Sequence, residues 1–354
     1  MAGGNPIKYT SYDFNSIMAD LNSDPDLVDK EDWFKRIMSG IGDTIGMHQN
    51  AGMNNAYLRT AFTRRAALDL LALINFQLTP QTTASGQVIL YVKNTASFPF
   101  TIAGSDLVAV TQGSLSSGSQ RFESRLTSQV VSAFSETFSV SGNTLIVGRS
   151  YTTGEKVLVS SSVTLPSPLT ANTSYYIIRV DATHIELATS VANAYAGVYV
   201  VLTTGGSGTQ TVALYSVQVP MYQQTTVAQY VVGTGDGVTA WQQFNLNDVN
   251  VLQDTLVVTI NSTNWTKVTN PVNNPGATQV YRIFYNNDQS SYLEFGDGSY
   301  GAMAPNYPIY AQYARGGGSG SNVALSNLIN SYAGSDSHIE GCSNPSAMTG
   351  GGDP

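Results

Sequence analysis

Charge is what this chain has least of. Asp, Glu, Lys and Arg make up 11% of its 354 residues, against about 25% in ordinary soluble domains. Ser, Thr, Asn and Gly fill the gap. Neutral polar side chains lose less solvation than ions when a contact buries them. Such a surface suits permanent association better than life as a free monomer; the alternative is a β-rich domain from an organism that avoids charge.

Other shortages narrow the function further. The chain has 16 basic and 24 acidic side chains, a net charge of -8 and a pI of about 4.8. It therefore lacks the basic stripe that phosphate neutralisation needs, and no nucleic-acid partner is expected. Cys342 is the single cysteine, which excludes an intramolecular disulfide and a thiolate cluster for zinc. No apolar run approaches the roughly 18 residues that span a bilayer, so no direct membrane insertion is expected. The first residues, Met1 to Pro6, lack a basic segment followed by an apolar one, which points to a cytosol-like compartment.

What is present divides near Pro80. Before it, apolar residues recur with helical spacing. Phe14, Ile17, Met18 and Leu21 form one stripe, with Ser11 as a candidate cap. Trp33, Ile37, Ile41 and Ile45 form a second, where Gly40, Gly42 and Gly46 would permit close approach by a neighbouring helix. The third helix is expected over about 56–76. Leu58, Phe62, Leu73 and Phe76 share one line, and Arg65 and Asp69 lie in the same stripe four residues apart, where they can pair. From Ala66 to Ile74 that helix is apolar nearly all round, which implies burial on more than one side. Those six residues, Leu58, Phe62, Arg65, Asp69, Leu73 and Phe76, are the expected partner interface.

Beyond Pro80 the period becomes two. Residues 88–92, 107–110, 256–260 and 280–285 read as strands, separated by turn signals such as Asn286-Asn287-Asp288 and Asp297-Gly298. Strand follows strand, which argues for antiparallel sheets. Residues 141–213 look self-contained, with strands expected at 156–159, 175–180, 184–187 and 198–202; the alternative is one continuous sandwich. The fold class expected is therefore α+β: an N-terminal helical region over 1–80, then mainly antiparallel β domains. These comprise a β domain in two parts over 81–140 and 214–270, a small β module inserted at 141–213, and a C-terminal β region over 271–354.

No catalytic, cofactor-binding or metal-binding set emerges. A phosphate loop needs spaced glycines before a helix N-terminus. Gly316-Gly317-Gly318-Ser319-Gly320-Ser321 has Ser321 in place of the third spaced glycine, and no Lys-Ser/Thr pair follows. The three histidines, His48, His184 and His338, lack metal-site spacing, and no Gly-x-Ser-x-Gly elbow marks a serine nucleophile. Glu294 and Asp297 are the one carboxylate pair worth testing for glycan hydrolysis, and Asp297 before glycine is better read as a turn residue.

Several segments resemble a known family. Tyr12 to Ile17, Asn54 to Ala61 and Arg64-Arg65 are similar to the N-terminal region of phage baseplate wedge proteins, and Thr101-Ile102-Ala103-Gly104-Ser105 is similar to a turn in their β domain. Phe295-Gly296-Asp297-Gly298-Ser299-Tyr300-Gly301 resembles the FGDGxxG signature of baseplate J-like proteins. Tyr313 to Val323 resembles that family's glycine-rich segment, with Ser321 for its last glycine, and Asn344-Pro345 and Gly350 to Pro354 resemble its closing segment. The inserted module is not a general feature of the family, and it looks like a small β domain of various phage tail proteins. Family members usually continue beyond the point where this chain ends.

The resemblance implies a structural role in the baseplate of a contractile phage tail, in the virion, assembled in the host cytoplasm. It implies no enzyme activity and no cofactor. The partners it implies are a second copy of the chain, another baseplate wedge protein, and hub or sheath-initiator proteins. Repeats of the wedge close a ring that restrains the sheath and then widens. The alternative from another class is a receptor-binding or adhesin protein whose module recognises glycans through Tyr175, Tyr176, Tyr195 and Tyr199. Phe62→Asp or Leu73→Asp is expected to block assembly while the β domains stay folded; complete baseplates formed by either variant would contradict the interface.

Overall fold

A computed structural model describes residues 19, 22, 41, 81–111, 119–285 and 290–353. The α+β expectation is corrected by it: the described residues hold twenty strands and one α-helix, so the fold is mostly β. No N-terminal helical region is described, and the interface residues Leu58, Phe62, Arg65, Asp69, Leu73 and Phe76 lie outside the described residues. Helical periodicity there had set half of the expected class; beyond residue 80 the described chain follows the alternating pattern, apart from one short helix.

In chain order the first strands are β1 (Ser85–Val92), β2 (Phe100–Ala103), β3 (Val108–Thr111), β4 (Arg121–Glu123) and β5 (Ser128–Val131). Next come β6 (Ser135–Ser141), β7 (Thr144–Ile146), β8 (Lys156–Ser161), β9 (Ser174–Arg179), β10 (His184–Ala188), helix α1 (Val191–Ala196) and β11 (Gln210–Leu214). The remainder are β12 (Ser216–Thr234), β13 (Gln243–Asn245), β14 (Val251–Ile260), β15 (Thr263–Lys267), β16 (Val280–Tyr285), β17 (Ser291–Phe295), β18 (Pro308–Gly316), β19 (Ile329–Tyr332) and β20 (Ile339–Ser343).

The chain forms two compact units. In the larger, which holds 80–242, 250–281 and 295–354, β12 is the spine. It pairs antiparallel with β1 (Val88 opposite Val219), with β4 (Tyr222 opposite Glu123) and with β18 (Thr226 opposite Ala314). β18 also pairs with β14, and β1 with β20. Val88, Leu90, Val219 and Met221 point to one face, where they join Phe122, Ile329 and Cys342 in the core of the body, the part of this unit outside 135–214. The β14–β15 hairpin turns on Asn261 and Ser262, whose φ of 48° and 61° suit the two-residue turns that match strand twist. The smaller unit includes 243–249 and 282–294, where β13 pairs with β17, Phe244 opposite Leu293.

Strands β6 to β11 close on themselves in the order β10-β7-β6-β11-β8-β9. A closed barrel has no free edge. Its interior is filled by Leu145, Val157, Val159, Ile177, Ile185, Leu187 and Val212. The barrel begins with β6 at Ser135, so the opening expected at 141 falls at that strand's end. The strand expected over 198–202 is not formed. Before it stands α1, capped by Ser190, whose side chain accepts from the Asn193 N–H, and ended by Gly197 at φ 71°. The segment after it is tied to the barrel by the N–H groups of Val200, Leu202 and Thr203, which donate to Leu187 O, to Asn143 Oδ1 at 2.9 Å and to Ser167 O.

Candidate functional site

The glycine run at the end of β18 is where the body is fastened. Gly316, Gly317 and Gly318 have φ of 147°, 85° and 81°, backbone that favours glycine over any L side chain. A Cβ on Gly317 would lie 2.7 Å from Thr82 O. That close approach lets Gly318 N donate to Thr82 O at 2.9 Å and Gly317 N to Gln223 Oε1 at 2.6 Å. Gln81 Nε2 donates to Gly316 O. Ser319 donates from N and Oγ to the Asp353 carboxylate at 2.8 and 2.6 Å. Asn322 and Gly351 exchange two bonds, of 2.9 and 3.0 Å. Ser321 Oγ accepts from Ala84 N at 3.1 Å.

The loop thus gathers residues 81–84 and 351–353 into one knot. The N–H groups of Gly317, Gly318, Ser319, Ser321 and Asn322 all point at protein oxygens. A phosphate cradle requires such donors to be free; here they hold the chain.

The second motif does similar work. Asp297 Oδ1 accepts from Ser299 N at 2.8 Å and Tyr300 N at 2.6 Å, the Asx-turn use of an Asp before glycine. Gly298 N donates to Gly301 O, and Gly301 N to Asn274 O. A Cβ on Gly296 would sit 2.2 Å from Gly301 O, and one on Gly276 would sit 1.8 Å from Gly298 O. Two loops pass with their backbones in contact, which only glycine allows. Phe295, fully buried, anchors the turn against Trp265 at 5.2 Å, edge to face.

The other sequence candidates are scattered. Within the smaller unit, Glu294 is buried and taken by Arg282 and by Gln243 Nε2 at 2.7 Å. His184 pairs with Asp181 at 2.9 Å in a barrel turn. His338 bonds Asp336 and stacks on Phe100 at 4.3 Å. His48 lies outside the described residues. The four tyrosines of the glycan reading do not form a platform. Tyr175 is in the barrel core, Tyr176 meets Tyr91 of the body edge to face at 5.4 Å, and Tyr195 bonds Ser343 of the body at 2.9 Å. Tyr199 is exposed. Burial pushes the Tyr195 phenol up to about 12 and lifts Tyr91 above its ordinary range, so both remain neutral hydroxyls. Among the described residues no group of three or more His, Cys, Asp or Glu could hold a metal ion, and no helix is long and apolar enough to cross a membrane.

One feature was not legible in sequence: an open groove of about 720 Å³ over the register break of β14. Arg121 and Glu123 alternate onto one face of β4 and pair at 2.5 Å. Glu123 also accepts from Thr226 N and Oγ1 at 2.9 and 2.7 Å. Arg125 reaches Gln224 at 3.0 Å and Asp254 at 2.7 Å, its guanidinium 4.2 Å from the centre of the Tyr222 ring. The groove draws on β3, β4 and the loop after it, β12, β14 and β18, which are spread through the sequence. Only the Arg-x-Glu alternation at 121–123 was available as a signal.

Gly317→Ala is expected to lower stability by about 1–2 kcal/mol or more, because the new side chain meets both a left-handed backbone and Thr82 O; chemical denaturation measures it. The Ser319 contacts hold the Asp353 carboxyl below its usual range. Its stabilisation is therefore complete above the ordinary carboxylate pKa of about 3.9 and is lost as pH falls through the lowered folded value. Exchange at the Ser319 amide is expected to rise on that acidification, and Asp353→Asn should remove this pH dependence.

No family profile matches the chain, and no curated protein matches it, so the baseplate J-like resemblance is carried by motif residues alone. Among solved structures, the chain is similar to a chain of the type VI secretion system TssK-TssF-TssG baseplate subcomplex, seen by cryo-electron microscopy. The TM-score is 0.37 and the identity 7%, covering 79% of this chain and 67% of that one. A likeness of that score assigns neither fold nor function.

Proposed function

We propose that the chain is a structural subunit of a contractile-tail baseplate, of the phage wedge type, that holds neighbouring proteins in a ring and performs no chemistry. One observation carries this reading. Two of the segments behind the family resemblance, Gly296 to Gly301 and Gly316 to Asn322, are engaged in backbone closure, with Asp297 and the glycine-loop amides bonded to the chain itself. Motifs of that kind preserve a shape. Glu294, the carboxylate that a hydrolase would need, is buried and ion-paired. The charge-poor composition suits surfaces that stay in contact with protein. The partners in this reading are a second copy, another wedge protein, and the hub or sheath-initiator proteins, in a ring that transmits the change leading to sheath contraction.

Imaging and mass spectrometry of purified intact tails test it. The expected result is this chain at fixed stoichiometry in the baseplate and nowhere else in the particle. Its recovery at the tips of receptor-binding fibres, or its absence from the particle, would overturn the proposal.

A further inference from the structure

The barrel is joined to the body by two short connectors, Ser132 to Phe134 on entry and Tyr215 on exit. Tyr215 is shared between the two. Its N–H donates to Lys156 O of the barrel at 2.8 Å, its carbonyl accepts from Val92 N of the body at 2.9 Å, and its ring meets Phe98 at 5.3 Å. The apolar clusters of barrel and body have no residue in common. Between them the contacts are mostly polar. Tyr195 of the barrel hydrogen-bonds Ser343 Oγ of the body at 2.9 Å, and the Tyr176 ring meets Tyr91 edge to face at 5.4 Å. Asn94 Nδ2 donates to Asn172 O at 3.2 Å, and Gln218 Nε2 donates to Thr152 Oγ1 at 2.8 Å and Glu155 Oε1 at 3.1 Å.

At the centre of the joint lies an ammonium group. Strand alternation sends Val157 and Val159 into the barrel and turns Lys156 outward against the body, where it is fully buried. Its Nζ donates to Val92 O at 2.6 Å and to the carboxylate of Glu340 on β20. Glu340 is 39% exposed while the lysine side chain is 0% exposed. A buried cation is tolerated only beside its counter-charge. A carboxylate that water reaches can be removed or engaged from outside.

We infer that the barrel is a hinged arm, pivoting on Ser132 to Phe134 and Tyr215, and that the Lys156–Glu340 pair is the latch that keeps it docked. Parting the two exposes hydroxyls, amides, one ion pair and the edges of the Tyr91 and Tyr176 rings, and leaves both apolar cores closed. A joint lined with leucine and valine would resist opening far more. Losing the Glu340 charge strands the ammonium in a dry slot and favours the open pose. Removing the lysine as well takes away the reason to open.

Hydrogen exchange on the full-length chain tests this. In Glu340→Gln the amides of Val92 and Tyr215, which bridge body, connector and barrel, are expected to exchange at least about tenfold faster. The amides of Val212 in the barrel and Val219 in the body are expected to keep their protection. Adding Lys156→Met to Glu340→Gln is expected to restore protection at Val92 and Tyr215, because an apolar side chain is content in that slot. Unchanged exchange at Val92 and Tyr215 in the single variant would overturn the latch. So would a parallel rise at Val212 and Val219, which reports unfolding, or failure of the lysine substitution to reverse the effect.

Discussion

The left-handed backbone at Gly316 to Gly318 is the constraint on which the larger unit depends. β18 lies between β12 and β14, and its last residues must leave the sheet while residues 81–84 and 351–353 come close. Side chains at those three positions would occupy the space through which Thr82, Gln223 and Asp353 approach. With glycine, main-chain donors reach acceptors 94 and 34 residues away in sequence. β1 starts at Ser85, immediately after this knot, and pairs with both β12 and β20. The knot therefore sets the position of the strand that joins the first part of the body to the last.

How the scarce charges are used follows from the same economy. Lys156, Glu155, Glu123 and Glu294 are all buried, and each is matched. Lys156 has Glu340, Glu155 has Arg149 and the Thr152 N–H, Glu123 has Arg121 and Thr226, and Glu294 has Arg282 and Gln243. A buried charge without its partner costs several kcal/mol, so each pair admits one arrangement of the elements that carry it. In a chain with so few ions, Lys156–Glu340 and Arg282–Glu294 locate one strand against another, while Arg121–Glu123 and Arg149–Glu155 fix a strand and a loop locally.

Much of the strand content could be read from period two, because a half-buried strand writes its face into every second residue. The stretches at 88–92, 256–260 and 280–285 all lie in strands. Asp297 as a turn residue was legible for a local reason, since its carboxylate bonds amides two and three positions on. What could not be read is non-local. β12 pairs with partners on both sides of the barrel in sequence, and no window of periodicity contains that. Lys156 opens a run of valine and leucine and gives no sign of burial; its slot is made by Val92 and Glu340, 64 and 184 residues away. Val198 to Leu202 misled because β-branched residues suit a strand, yet Val198, Tyr199 and Val201 are exposed and no neighbour offers a full ladder. Helix α1 had both of its signals, Ser190 before and Gly197 after, within a span too short for helical periodicity to show.

Two apolar cores that merged would move as one piece, since close-packed interiors transmit strain. Here the cores of barrel and body are separate, and hydroxyls, amides, one ion pair and one edge-to-face tyrosine pair lie between them. Polar contacts of this kind fix orientation through direction and charge while adding little apolar area to the cost of separation. In the role proposed above, holding neighbours in one geometry and later accepting another would favour rigid parts and polar seams over a single continuous core. The barrel's closure fits that role, because a sheet without edges offers no unpaired strand to stray neighbours.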